Sequence, residues 1–213
     1  MSFDVDIAFA NGGAAPTTLR IASGAALIAL TGFSGVGKTS ALNCIAGLRR
    51  PIQGRIAVGE TVLFDAAAGI DLPPERRRAG YVFQENRLFP HYRVSANLTY
   101  GEALRNEGER WMTRGEVTDF LGIGHLLDRW PATLSGGEAK RVAIGRALLS
   151  APRFLLLDEP LAAIDPARRD DILTVIERIR DTLPVPILYV SHHPDEIARL
   201  TGVTVTMGRT ARE

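Results

Sequence analysis

The chain has 213 residues, of which 46% are hydrophobic, so it can build one domain with a sizeable core. Its 25 lysine and arginine residues nearly balance its 24 acidic residues, and the two signs are interspersed. This argues against the basic face or stripe of a nucleic-acid-binding protein. The single cysteine, Cys44, excludes an internal disulfide and fits a reducing compartment.

The apolar stretches of the sequence are short. Residues 25–30 are among the longest of them and fall far below the length needed to span a bilayer. The first residues show no basic segment followed by an apolar run, so we expect no signal peptide. If the protein works at a membrane, it therefore needs a partner that crosses it.

Short apolar runs alternate along the chain with segments of helical spacing. Residues 25–30 predict a buried strand, and residues 39–48 predict the helix that follows it. Further strands are predicted over residues 55–58 and 61–64, which turn at Gly59-Glu60, and over residues 81–83, 154–157, 185–190 and 203–207. Residues 85–130 predict a mostly helical subdomain, and Asp165-Pro166 predicts a helix start. This alternation indicates an α/β fold with a mostly parallel sheet.

Residues 32–39 match the pattern G-x-x-x-x-G-K-[ST] in full. Glycines in such a loop let successive backbone N–H groups point at phosphate oxygens, and the following helix adds its positive end. Lys38 can neutralise the β- and γ-phosphates of a nucleotide, and the Thr39 hydroxyl can bind Mg²⁺. The alternative is a glycine-rich turn that happens to contain lysine, but the strand–loop–helix context favours phosphate binding. The predicted nucleotide-binding residues here are Gly32, Phe33, Ser34, Gly35, Val36, Gly37, Lys38, Thr39 and Ser40.

Two carboxylates, Asp158 and Glu159, follow the predicted strand over residues 154–157. Ligands of parallel sheets bind at the carboxyl ends of the strands. Asp158 suits Mg²⁺, directly or through water, and Glu159 is placed to polarise an attacking water. Acidic residues are common in the strand-exit loops of any α/β protein, so the pair gains its meaning from the phosphate loop upstream.

Residues 134–138 read Leu-Ser-Gly-Gly-Glu and precede a predicted helix that runs to about Leu149. A hydroxyl and free N–H groups at a helix start can bind an anion, although an ordinary helix cap has the same composition. With the phosphate loop and the acidic strand end, this segment makes the sequence resemble the ATP-binding cassette of ABC transporters over essentially its whole length.

The resemblance assigns roles residue by residue. It implies that the ATPase chemistry involves Glu159, His192 and Gln84, and that Mg²⁺ is held by Thr39, Gln84 and Asp158. It identifies the signature motif, which contacts ATP held by a partner chain, as Leu134, Ser135, Gly136, Gly137 and Glu138. The D-loop would be residues 161–165, ending at Asp165.

The implied fold is that of a P-loop NTPase of the ABC cassette type. It has a mostly parallel core sheet, an antiparallel β-subdomain and a helical signature subdomain over about residues 85–134. Residues 1–213 would form a single ABC ATPase domain into which the helical subdomain is inserted.

The family also implies partners. Two chains form a head-to-tail homodimer in which each ATP lies between one chain's Walker A loop and the other chain's signature. This agrees with the physics, because one phosphate loop cannot surround the γ-phosphate by itself. Transmembrane permease subunits, and indirectly an extracytoplasmic solute-binding protein, are the expected partners, and nucleic acid is not expected. The implied location is peripheral, on the cytoplasmic face of the bacterial inner membrane.

Some positions depart from the commonest pattern of the family. Glu138 and Lys140 stand where glutamine is frequent, and the D-loop carries Ala-Ala-Ile-Asp where Ser-x-Leu-Asp is usual. His193 stands where Asp or Ser is common. We take His192 as the acting histidine, because it directly follows the predicted strand and Ser191.

Two apolar features suggest contacts. Phe9, which lies 23 residues before Gly32, is the candidate for stacking on adenine, and a core position in a β-hairpin is an equal alternative. A cluster after Gln84 is too apolar for a free loop and predicts a groove for a permease helix. Its members are Leu88, Phe89, Pro90 and Tyr92. The alternative is that these side chains pack the helical subdomain onto the sheet.

The local resemblance is strongest to the ATPase subunits of molybdate importers, in residues 78–91, 97–101, 143–150 and 187–192. That group often carries a C-terminal regulatory domain of small β-barrel type, and this chain resembles a short form without it, so regulation by molybdate within the chain is not expected. An importer of another solute, such as sulfate, thiamine or a polyamine, is the alternative. A soluble ABC ATPase of DNA repair, chromosome structure or translation is a third, disfavoured by the short single interval between Walker A and the signature.

Overall fold

The computed structural model describes residues 2–12, 15–104, 107–162 and 164–208. The strands are β1 (Phe3–Phe9), β2 (Thr17–Ser23), β3 (Leu27–Gly32), β4 (Gln53–Val58), β5 (Thr61–Asp65), β6 (Ile70–Asp71), β7 (Ala79–Val82), β8 (Phe154–Asp158), β9 (Ile187–Val190) and β10 (Thr204–Met207). The helices are α1 (Lys38–Ala46), α2 (Pro74–Arg77), α3 (Val94–Glu102), α4 (Arg114–Leu121), α5 (Gly136–Leu149), α6 (Pro166–Thr182) and α7 (Pro194–Leu200).

A parallel sheet forms the centre of the fold, as the sequence predicted. Its strand order is β10-β3-β9-β8-β7, and all four neighbouring pairs are parallel. Every residue of β8 is buried. Because side chains alternate along a strand, Phe154 and Leu156 join the core cluster beneath α1, while Leu155 and Leu157 join the cluster beneath α5 and α6.

The second sheet is antiparallel, with order β2-β1-β4-β5-β6. It contains the predicted pair β4 and β5, which turn at Gly59, whose φ is 58°. The sheets share one core, in which the ring of Phe3 lies edge-on to that of Phe154 at 5.8 Å. The antiparallel sheet therefore supports the face of the parallel sheet that carries α1.

Helices occupy the predicted region after β7. The described residues of this region form α3, α4 and three short 3₁₀ helices, Glu107–Glu109, Gly124–Leu126 and Pro131–Thr133. Helix α5 ends at Leu149 and α6 begins at Pro166, as predicted. Among the described residues, no helix combines the length and apolar composition needed to cross a membrane.

The strand boundaries differ from the predicted ones by one or two residues, and two of these differences lie near the glycine loop and Gln84. Strand β3 begins at Leu27 and runs on to Gly32, because its pairing with β10 continues to Gly32 opposite Met207. Strand β7 ends at Val82, which pairs with Leu157 of β8, so Phe83 lies beyond it. The first difference matters for the site, since the sheet holds the phosphate loop at its first glycine.

Candidate functional site

The glycine loop over residues 32–37 joins the carboxyl end of β3 to the start of α1. Gly32 and Gly37 have φ of 145° and 108°, which disfavour any side chain. A Cβ at Gly32 would lie 2.7 Å from the carbonyl oxygen of Met207, and one at Gly37 would lie 2.8 Å from the Asn11 side chain. The backbone is thus held in a tight curl at both ends of the loop, as a phosphate cradle requires.

Lys38 lies inside this loop. Its side chain is only 7% exposed, and its Nζ donates hydrogen bonds to the carbonyl oxygens of Gly32 at 2.9 Å and Phe33 at 3.2 Å. This burial was not predicted from the sequence. The ammonium group is positioned by the loop backbone and adds its charge to the cradle.

Asp158, at the end of β8, is 3% exposed. Burial raises the pKa of its carboxyl above the ordinary range, while hydrogen bonds from the hydroxyls of Thr39 and Tyr81 oppose this rise. The fold thus brings together Thr39 of the glycine loop and Asp158 of the acidic strand end, which are 119 positions apart in the sequence. A carboxylate beside a hydroxyl is a set of hard oxygen ligands that fits Mg²⁺.

Glu159 lies between two basic side chains. Its Oε1 is 3.5 Å from Nδ1 of His192 and 4.0 Å from Nζ of Lys38. Its backbone has φ of 42°, a left-handed conformation that is costly for a residue other than glycine and that clusters at functional sites. Its N–H donates to the carbonyl of Val190 at 3.1 Å, so β9 holds this strained turn.

The structure places His192, rather than His193, against Glu159. The N–H of His193 donates to Oγ of Ser191 at 3.1 Å, and the two imidazole rings are 4.1 Å apart. A cavity of about 860 Å³ opens beside this group. Its lining includes Gly32, Phe33, Ser34, Lys38, Glu159 and His192, together with residues of α7 and β10.

The signature residues lie at a different cavity. Ser135 caps α5: its Oγ accepts from the N–H of Glu138 at 3.4 Å, and its own N–H donates to the Glu138 carboxylate at 2.7 Å. That donation lowers the pKa of Glu138. A cavity of about 230 Å³ is lined by Ser135, Gly137 and Glu138, and among the residues that the structure describes it shares none with the first cavity. The two groups of candidate residues therefore occupy separate places on one chain.

The remaining predicted residues are distributed as follows. Gln84 is exposed just after β7, and its carbonyl oxygen accepts from Nζ of Lys140 at 3.1 Å. In the D-loop, Leu161 and Ile164 are buried and Asp165 is exposed, while Ala163 lies outside the described residues.

The prediction that Phe9 stacks on adenine is wrong. Phe9 is fully buried in β1, opposite Thr17 of the β1–β2 hairpin, and belongs to the core cluster beneath α1. A ring with no exposed face cannot stack on a base. The alternative of a core residue in a β-hairpin is the one that the structure shows.

Three residues of the site were missed by sequence reasoning. Tyr81 donates to Asp158 at 3.4 Å, and burial raises the pKa of its phenol. Asn11 braces the loop by donating to the carbonyl of Gly35 at 3.0 Å and accepting from Ser40 at 3.2 Å.

The third missed residue is Lys140, which the sequence showed only as a departure from the family pattern. Lys140 is buried, and burial lowers its pKa to about 8, while the negative charge of Asp158 acts in the opposite direction and raises it. Its helical spacing with the buried residues Gly137 and Ile144 was the available signal.

The structure combines a glycine loop that encloses a lysine with a buried aspartate at the carboxyl end of a central parallel strand. This is the arrangement of a P-loop NTPase cassette. The chain belongs to the ABC transporter family, whose sequence pattern matches residues 16–162.

Similar proteins include the molybdenum import ATP-binding protein ModC of three bacteria. The Paramagnetospirillum magneticum protein is 55% identical over 189 residues, or 89% of this chain and 52% of that protein. The Brucella melitensis protein is 61% identical over 181 residues (84% and 50%). The Rhodospirillum rubrum protein is 51% identical over 210 residues (98% and 56%). The chain thus spans about half the length of the curated relatives it matches.

Solved structures show the same fold. One is the dimeric structure of a bacterial ABC transporter cassette, with a TM-score of 0.72 and 24% identity over 97% of this chain and 93% of that chain. Another is a post-hydrolysis state of an ATP-binding cassette bound to ADP and Pi, with a TM-score of 0.73 and 23% identity over the same shares of the two chains.

Proposed function

We propose that this chain is the ATP-binding and ATP-hydrolysing part of an ABC importer that takes up molybdate. The observation that carries the proposal is the position of Glu159, held in a strained turn between Lys38 and His192 at the end of β8. The names of the relatives support the choice of solute. An importer of sulfate, thiamine or a polyamine is the second candidate.

Each residue has a role in this proposal. The loop backbone and Lys38 bind the β- and γ-phosphates of ATP. Thr39, Asp158 and Gln84 hold Mg²⁺, which would neutralise charge that develops on the phosphates. Glu159 polarises the attacking water, and His192 keeps that carboxylate oriented and stabilises the transferring phosphate.

The separation of the two cavities supports a head-to-tail homodimer. In it, the Ser135 hydroxyl and the first N–H groups of α5 in one chain complete the ATP site at the partner's glycine loop. A dimer of cassettes would work on permease subunits, and indirectly with a solute-binding protein, at the cytoplasmic face of the membrane.

The surface proposed for the permease lies on the exposed side of α3. Of the apolar cluster after Gln84, one member packs into the core and another lies at this surface. Leu88 packs against the core, as the alternative held. Tyr92 and Tyr100 are 42% and 49% exposed, and they line a groove of about 420 Å³ with small and polar residues of α3. Exposed aromatic residues beside a groove are typical of a partner surface.

Replacing both tyrosines with serine is expected to uncouple transport from hydrolysis. The isolated subunit should keep its ATPase rate within about twofold, because neither ring belongs to the buried core, while uptake should fall at least about tenfold. The measurement is molybdate uptake in a strain that lacks its own importer ATPase and carries the full-length gene. The matched control is Ile52→Ser, which removes an exposed apolar side chain outside the groove. Unimpaired uptake by the double variant would remove these tyrosines from the coupling surface.

The same strain tests the solute. If the wild-type gene restores uptake of sulfate, thiamine or a polyamine and not of molybdate, the second candidate replaces the first. If the purified chain hydrolyses no ATP, the proposal fails at its first step.

A further inference from the structure

A buried lysine of helix α5 reaches the backbone of the Gln84 segment. Lys140 is only 3% exposed, and its Nζ donates to the carbonyl oxygens of Phe83 at 3.0 Å and Gln84 at 3.1 Å. Hydrogen bonds from a charged donor are stronger than neutral ones, and a buried ammonium group needs such partners to offset its lost hydration. The end of β7 is thereby fastened to the helix that Ser135 caps.

A second cation of α5 holds the same segment further along. Arg146 donates to the carbonyl of Asn86 at 3.3 Å and to the side-chain oxygen of Asn97 at 3.5 Å, and it lies 5.1 Å from the centre of the Phe89 ring. Asn97 is itself fully buried and donates to the carbonyls of Phe89 and Tyr92. Residues 83–92 are therefore tied to α5 and α3 along their length.

Lys140 lies close to the N-terminus of α5, so its contact with the Gln84 segment links that segment to the capped end of the helix. Lys140 comes five residues after Ser135, within the first turns of a regular helix that places the Ser135 hydroxyl at its N-terminus. A regular helix moves as one body, so any displacement of its capped end must carry the carbonyl oxygens of Phe83 and Gln84 with it.

We propose that Lys140 is a positioning residue that fixes the backbone at Gln84 to the signature helix, so that Gln84 and Ser135 shift together when nucleotide is bound. The inference rests on the proposed function, in which Gln84 serves this chain's own ATP and Ser135 serves the ATP of the partner. Through Lys140, each chain links its two half-sites.

The test compares Lys140→Met with Lys140→Gln and with Arg178→Met. Methionine keeps an unbranched apolar chain but donates no hydrogen bond, whereas glutamine keeps an amide donor. Arg178 of α6 is the matched control, because it is an exposed cation that donates to a backbone carbonyl, that of Phe120, away from the Gln84 segment.

In nucleotide-free protein, Lys140→Met should speed amide hydrogen exchange of residues 84–92 at least about fivefold and leave the parallel sheet unchanged. Its kcat for ATP should fall about tenfold, and its KM should stay within about twofold, because the loop backbone and Lys38 bind the phosphates whereas misplacement of Gln84 affects mainly the transition state. Lys140→Gln should restore both values to within about threefold of wild type, and Arg178→Met should change neither.

Three results would overturn the inference: unchanged exchange in residues 84–92, a uniform increase over the whole chain, or no difference between the methionine and glutamine variants. If Lys140→Met does not fold, Lys140→Ser replaces it with the same expectation, since it leaves room for water beside the two carbonyl groups. The exchange measurement needs no ATPase activity, so it tests the link between Lys140 and the Gln84 segment separately from the proposed function. A failure of that link and a failure of the proposed function are therefore distinguishable.

Discussion

Replacing Glu159 with glutamine is expected to reduce ATP turnover about 10²-fold or more and to leave ATP binding intact. Glutamine has nearly the same shape, so the strained turn and the hydrogen bond from its N–H to Val190 should persist. What disappears is the charge between His192 and Lys38, which are 3.5 Å and 4.0 Å from the carboxylate. Because a neutral amide polarises water poorly, an ATP-bound dimer should accumulate.

Two measurements check this expectation. Steady-state hydrolysis gives the loss of turnover, and size-exclusion chromatography with ATP shows whether the dimer accumulates. Glu60→Gln, which removes an exposed carboxylate at the turn between β4 and β5, is the control and should hydrolyse ATP at the wild-type rate. Near-normal hydrolysis by the Glu159 variant would mean that another group activates the water.

Replacing Lys38 with alanine is expected to weaken ATP binding at least about 10²-fold, because the phosphates lose the positive charge that the loop holds in place. In the structure its ammonium group contacts the carbonyls of Gly32 and Phe33, in a loop whose ends the sheet and α1 already fix. The fold should therefore survive.

Isothermal titration with ATP and a thermal melt measure the two parts of this prediction. Arg50→Ala removes a largely exposed cation that forms an ion pair with Asp71 at 3.5 Å, and it should leave ATP affinity unchanged. An unchanged affinity in the Lys38 variant, with an intact melt, would contradict phosphate binding by this loop.

The elements that were predicted well from the sequence are those that residues close together in the chain determine. The run of apolar residues in β8 is buried on both faces, as is typical of a central strand in a parallel sheet. Helix α5 begins after a serine that its own sequence equips as a cap, with Glu138 three residues on. Both features are decided by neighbours in the chain, so pattern reasoning finds them.

The site residues that were wrongly predicted or missed are those whose surroundings are formed by segments far away in the sequence. Phe9 belongs to a run of apolar residues in β1, and its own sequence neighbours do not show whether its ring is exposed. The packing of β1 under α1 buries the ring. The contact of Tyr81 with Asp158 joins two adjacent parallel strands that are far apart in the sequence. Lys140 lies on a face of α5 that is otherwise apolar, and its carbonyl partners come from a segment 56 residues upstream. Side-chain partners of this kind follow from the fold and not from spacing.

The claim that two chains share each ATP site is tested most directly by mixing two inactive variants. A Lys38→Ala chain lacks the phosphate loop's charge, and a Ser135→Arg chain blocks the signature, so neither variant alone has an intact site. A mixed dimer has one site with both halves intact and one with both halves broken. With random pairing at equal amounts, half of the dimers are mixed and each has one intact site, so the mixture should show about a quarter of wild-type ATPase activity. A mixture no more active than either variant alone would contradict it.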